Sequence, residues 1–143
     1  MRDPYGQILF AEAVYFGHTT SISVESRALL HGLQLCAAHG LFSIQVETDS
    51  QILFHMLQTT SNSWPWNIYS IIVSVQTLLR DVSMSFVHIY REANSVADFL
   101  AVHASTHRSS TIFNSTTIPR KLKRLLFLDQ IGCPTIRLKK SSV

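Results

Sequence analysis

The chain has 143 residues, 46% of them hydrophobic and 15% charged, with a formal net charge of +3. That is enough apolar material for a core and excludes a disordered polymer. No apolar run approaches the roughly 18 residues of a membrane helix. The opening MRDPYGQILF has no charged-then-apolar leader pattern, so the sequence predicts an intracellular chain, nuclear or cytoplasmic, with no membrane partner.

The charge is unevenly spread. Residues 1–106 carry four basic and eight acidic side chains, whereas residues 107–143 carry eight basic ones against Asp129 alone. An acidic body with a basic end is a layout of chains that approach nucleic acid, and equally that of a solvated tail. Cys36 and Cys133 lie far apart with no CxxC spacing, which predicts reduced thiols and no disulfide.

RDPYG is turn chemistry: Pro presets φ and Gly supplies φ > 0. The β-rich QILFAEAVYF, residues 7–16, then reads as the second half of a hairpin whose first half is barely present. After a loop, residues 24–39 predict a helix with Val24, Ala28, Leu29, Leu33, Cys36 and Ala37 on its apolar stripe. Ser23 is its expected N-cap and Gly40 its expected C′ residue. Gly32, mid-helix, costs about 1 kcal/mol relative to Ala and suggests close packing there.

Residues 42–49 read as a strand with Ile44 and Val46 inside, and Ser50 to Gln58 as a short helix broken by TTSNSWPW. Residues 66–81 predict an amphipathic helix on the stripe Ile68, Ile71, Ile72, Val75, Leu78 and Leu79. SMSFVHIYR, residues 83–91, reads as a strand, and SVADFLAVHA as a helix capped by Asn94 or Ser95. Strand–helix alternation of this kind argues an α/β layer with a partly parallel sheet. STHRSSTIFNSTT reads as a Ser/Thr-rich linker. The basic tail after it could carry one short helix with Leu122, Leu125, Leu126 and Leu128 apolar.

Three carboxylates hold suggestive positions. Glu25 falls in the first turn of a helix, Asp49 closes a strand, and Asp98 falls in the first turn of the last helix after another strand. In an open α/β sheet, strand C-termini and the helix starts beside them gather along one edge. Acids converging there repel unless a divalent cation neutralises them, and an oxygen-only set suits Mg²⁺ or Mn²⁺. Such a site can run two-metal phosphodiester hydrolysis. Each acid also has a plain structural reading. Glu25 and Asp98 would favour a helix macrodipole, and Asp49 could cap the helix that follows it.

VESRALLHGLQLCAAHGLFSIQVETDSQ followed by FVHIYREANSVADFLAVHA resembles the plant ribonuclease H-like domain found in non-LTR retroelement reverse transcriptases. The matching positions are Glu25, Ala28, Leu29, Gly32 and Leu33; then Glu47, Thr48, Asp49 and Ser50; then Arg91, Glu92, Asn94, Ala97, Asp98, Leu100 and Ala101. The similarity runs from about residue 2 to residue 106, with 107–143 as linker and tail. It implies a three-layer ribonuclease H-like fold with a mixed sheet, and hydrolysis of the RNA strand of RNA–DNA hybrids. Glu25, Asp49 and Asp98 match three of the four metal-binding acids for two Mg²⁺ or Mn²⁺ ions. His88 falls near the family's loop histidine, with packing beside Phe86 as its alternative role.

The chain departs from the family pattern at its start. The fourth acid belongs to a D-G-[SA] strand upstream of R-D-x-x-G, and these residues begin at MRDPYG. Without the family's first strand and most of its second, strands 7–16 and 42–49 must pair with each other or leave exposed edges. A marginal fold and impaired catalysis follow as expectations. The alternatives are a non-catalytic nucleic-acid-binding remnant and a truncated gene product.

Other motifs are weaker. His103 and His107 are spaced i, i+4 without a third ligand at metal spacing, which also suits an exposed helix end. PRKLKRL reads as a phosphate-binding strip or localisation signal interrupted by leucines. Trp64 and Trp66 flank Pro65, either to stack on a base or to plug a loop over the core.

Overall fold

The computed structural model describes residues 1–59, 64–80 and 83–132. Cys133 and the last cations of the tail, Arg137, Lys139 and Lys140, lie outside the described residues, as does the middle of TTSNSWPW. In chain order the elements are β1 (Ala11–Ala13), α1 (Ser21–Ala38), β2 (Ser43–Thr48), α2 (Gln51–Gln58), α3 (Trp66–Arg80), β3 (Ser83–His88), a 3₁₀ turn (Arg91–Asn94), α4 (Ser95–His107), β4 (Thr111–Phe113) and α5 (Arg120–Gln130). The architecture is mixed α/β, with one parallel and one antiparallel pair of strands, in two two-stranded sheets, among the described residues. The chain divides into two units, one of residues 18–89 and one of residues 1–17 with 90–143.

In the unit of residues 18–89, β2 and β3 pair in parallel, Ser43 opposite Ser83 through Thr48 opposite His88. Parallel pairing needs a long crossover, and α2 and α3 supply it. Ile44 and Val46 alternate with exposed neighbours and are half-buried, as a strand of period two requires. Among the described residues, β3 is the one strand partner of β2. The core is helical: Leu53 of α2 and Ile68 and Ile72 of α3 are buried, with Ile22, Leu29, Met56, Leu57 and Trp64 packed on them. The predicted α3 stripe is borne out, with Val75 also fully buried.

α1 differs from its sequence reading in three ways. It starts at Ser21 with Thr20 as the N-cap residue, so Ser23 is not the cap but lies inside the helix, buried. Its buried positions are Ser23, Ser26, Leu33 and Cys36, while Ala28 of the predicted stripe is exposed. Ser26 can be buried because its hydroxyl donates to the Ile22 carbonyl at 2.6 Å, which satisfies the one group that would resist desolvation. Nor is Gly32 a point of close packing, because a Cβ built there meets nothing within 4 Å. The C-terminus is as expected. Gly40 at φ +69° donates to the Ala37 carbonyl and Leu41 to the Cys36 carbonyl, at 3.0 and 2.9 Å, closing a Schellman motif.

In the other unit, the DPYG turn forms as read. Gly6 donates to the Asp3 carbonyl at 3.0 Å, and Asp3 Oδ1 accepts from the amides of Tyr5 and Gln7 at 2.9 and 2.8 Å. The hairpin's vestigial first half is a single antiparallel bridge, Arg2 opposite Ile8. β1 does not pair with β2, the strand that the sequence reading offered it. Its partner is β4, antiparallel, with Ala11 opposite Phe113 and Ala13 opposite Thr111.

β4 lies within the stretch read as a linker. Thr and Ile are good strand formers, and Phe113 gives the segment a buried anchor. Ala11 and Ala13, two residues apart on one face, are small enough to let α4 approach through buried Ala104. The tail then completes this core. Ile118, Leu122 and Leu126 are buried with them, and Leu122 is fully enclosed. Arg2 pairs with Asp129, and Gln130 Nε2 donates to the Tyr5 carbonyl at 2.9 Å.

Candidate functional site

Asp49 follows the last residue of β2, at the carboxyl end of the parallel pair and next to Thr48, which lies opposite His88. The short loop there is held by its own backbone. Ile89 donates to the Thr48 carbonyl at 2.9 Å, and the Ser50 amide donates to Thr48 Oγ1 at 3.2 Å. The cap of α2 is Ser50, whose hydroxyl accepts from Leu53 N–H at 3.4 Å. The capping role that the sequence left open for Asp49 is therefore taken by its neighbour. Asp49 stands half-buried at the strand mouth.

Glu25 is on α1, in its second turn rather than its first, because the helix begins earlier than the pattern suggested. No acid occupies the first turn, so the macrodipole does not account for Glu25. Its Oε1 accepts from Ser21 Oγ at 3.1 Å, a bond one turn back that orients the carboxylate. Glu25 flanks the face on which Ile22 and Leu29 meet the core, and it is half-buried.

His88 ends β3 rather than lying in a loop. Its ring is tilted against Phe54, 5.9 Å between centroids, while Phe86 stacks on the same Phe54 at 5.7 Å. This is the packing role that the sequence offered as the alternative. Glu47 points to the exposed face of β2, where it accepts from Gln45 Nε2 at 3.0 Å.

Asp98 belongs to the other unit, in the first turn of α4 as read. Arg91 reaches it across the 3₁₀ turn, 3.6 Å from guanidinium to carboxylate. The R-E-x-N-x-x-A-D spacing carried that pair, but the sequence reading gave Arg91 no role. With side chains 65% and 32% exposed, the pair contributes no more than about 1 kcal/mol to stability. Its consequence is electrostatic: a fixed cation already partners this acid.

The three acids are thus divided, Glu25 and Asp49 in one unit and Asp98 in the other. Among the described residues, no group of three or more His, Cys, Asp or Glu side chains could hold a metal ion. Cys36 is a free, buried thiol, and desolvation raises its pKa above the ordinary thiol value. No helix among the described residues is long and apolar enough to cross a membrane.

The family described as reverse transcriptase-like matches residues 1–104. The chain belongs to the reverse transcriptase-like family. This family is ribonuclease H-like, and the mixed α/β architecture agrees with that fold. The family match takes in Glu25, Asp49, His88 and Asp98 and ends within α4, so β4 and α5 lie beyond it. No curated protein and no solved structure matches this member of the reverse transcriptase-like family.

Proposed function

We propose that this chain is a nucleic-acid-handling ribonuclease H-like domain of retroelement type. Its ancestral activity is hydrolysis of the RNA strand of RNA–DNA hybrids, and its own catalysis is impaired. The observation that carries the reading is Asp49. It is an acid at the carboxyl end of a parallel strand pair, inside the family match, and the helix cap beside it is made by another residue.

Glu25, Asp49 and Asp98 are the proposed Mg²⁺ or Mn²⁺ ligands. Their donor chemistry suits those ions, since all three are carboxylates and hard cations prefer oxygen. A bound ion of this kind lowers the pKa of water and stabilises a leaving oxygen at phosphorus. Of the residues themselves, Asp49 contributes negative charge at a strand mouth and Glu25 a carboxylate oriented by Ser21. His88 is kept as an auxiliary group beside the same strand end. One feature argues for weak metal binding: the Arg91 cation on Asp98.

A second reading, a non-catalytic nucleic-acid binder, is favoured by that same cation, which competes with a metal ion for Asp98. A hybrid-cleavage assay with Mg²⁺ or Mn²⁺ separates the two. Slow cleavage abolished by Asp49→Asn and by Glu25→Gln supports the impaired enzyme. Cleavage at full rate that ignores both substitutions would sink the site assignment. Binding of hybrid without any cleavage selects the second reading.

A further inference from the structure

The PRKLKRL strip looked weak in sequence because leucines interrupt its charges. In α5 the interruption is resolved by the helix itself. Successive residues turn by about 100°, so the leucines go inward while the cations stay out. Leu122 and Leu126 are buried in the core, and Leu125 and Leu128 are half-buried. Arg120, Lys123, Arg124 and Phe127 recur at i, i+3, i+4 and i+7 and are all exposed, which makes them one outer stripe. Ile131 continues the stripe past the last turn. Phe127 is 60% and Ile131 58% exposed. Lys121 flanks the stripe, its ammonium 5.7 Å from the centre of the Phe99 ring.

Two things about this face are unfavourable for the free protein. All of its cations fall in the first half of α5, at the positive end of the macrodipole, and the first turn has no acid. The one acid of the helix, Asp129, is paired with Arg2 and offers them nothing. Fold stability alone would prefer acids at those positions. An anionic partner reverses the sign of both effects.

We infer that the outer stripe of α5 is a docking face for single-stranded nucleic acid, with Arg120, Lys123 and Arg124 on the phosphates and Phe127 against an unpaired base. Cationic residues that track a backbone, with an aromatic side chain on which a base stacks, are what sequence-tolerant strand binding uses. A lipid surface fits less well. An interfacial helix immerses a broad apolar face, and the leucine face of α5 is already buried in its own core. The inference rests on the nucleic-acid reading above but not on catalysis, and it concerns residues beyond the family match.

The test is fluorescence anisotropy of the full chain with an end-labelled, mixed-sequence single-stranded RNA, with EDTA present throughout. The triple variant Arg120→Gln/Lys123→Gln/Arg124→Gln should bind at least about 10-fold more weakly at low salt. Its log–log salt slope should be shallower by about two, from roughly 0.7 per lost phosphate contact. Phe127→Ala should weaken binding about 5-fold or more and leave the slope unchanged. None of these four residues is buried, so far-UV circular dichroism should be unaltered, and the triple variant should melt slightly higher than the parent. Three results would overturn the inference: no RNA binding by the parent chain, unchanged affinity and slope in the triple variant, or loss only of phosphatidylserine-vesicle binding. With EDTA present the assay reads binding without metal-dependent cleavage, so failure of the catalytic reading and failure of this one are read separately.

Discussion

Leu122→Ala measures how firmly α5 belongs to the core of its unit. Leu122 is 0% exposed in a core shared with Ala11, Ala13, Ala104 and Phe113. The substitution removes three carbon atoms, at about 0.8 kcal/mol each in transfer free energy, and leaves a cavity that the helix only partly fills. A loss of about 3 kcal/mol is expected, against total stabilities of about 5–15 kcal/mol. At an m-value of about 2 kcal/mol/M in urea, the midpoint should fall by about 1.5 M. Phe127→Ala is the control: the same helix, a larger side chain, but 60% exposed, and a midpoint shift of no more than about 0.3 M.

The probe matters. Trp64 and Trp66 both lie in the unit of residues 18–89, so their fluorescence follows that unit. Far-UV circular dichroism, or protease cleavage within residues 1–17, follows the loss of α5 packing. If Leu122→Ala and Phe127→Ala give the same small shift, α5 is a loose appendage and the described core of this unit is wrong.

Further outcomes follow from single positions. Gly32→Ala should stabilise the chain by about 0.5–1 kcal/mol, because the site has room for a methyl and the helix gains propensity. A thermal melt should rise by about 2–4 °C. Arg108→Gly, at the left-handed C-cap of α4 with φ 48°, should be neutral or stabilising by a similar amount. The Cys36 thiol, held neutral by burial, should alkylate far more slowly than the same thiol in urea. As pH rises past the ordinary thiol value, the unfolded chain ionises before the folded one. Cys36 therefore lowers stability on the alkaline side, and Cys36→Ala should flatten that limb of a stability–pH curve.

Periodicity made much of the unit of residues 18–89 legible. α3 buries Ile68, Ile72 and Val75 where the pattern put them, and the parallel pairing of β2 with β3 follows from strands joined by helices. The start of α1 differs from its reading because Ser23, a good cap residue by type, lies inside the helix instead. Ser23 and Ser26 are buried, and the Ser26 hydroxyl finds its acceptor within its own helix. β4 was invisible for a different reason. It has three residues in a Ser/Thr-rich setting, and its partner β1 lies about a hundred residues away, so no local signal marks it. At the site, the positions of Asp49 and Asp98 in their elements were read directly from strand ends and helix starts. The Ser21 and Arg91 partners of Glu25 and Asp98 were not, because they depend on where a helix begins and how a 3₁₀ turn bends.

The pairing of β1 with β4 sets a timetable for making the protein. β1 leaves the ribosome about a hundred residues before β4, the strand it pairs with, and before α5. At about 5–20 residues per second, the hundred residues between the paired strands take roughly 5–20 s to emerge. Meanwhile residues 18–89 form a contiguous segment that can collapse as soon as it is clear of the exit tunnel. The nascent segment that carries β1, with Ile8, Leu9 and Phe10 beside its short strand, is thus a stretch for a chaperone to hold, and the emergence of β4 and α5 is the event that retires it.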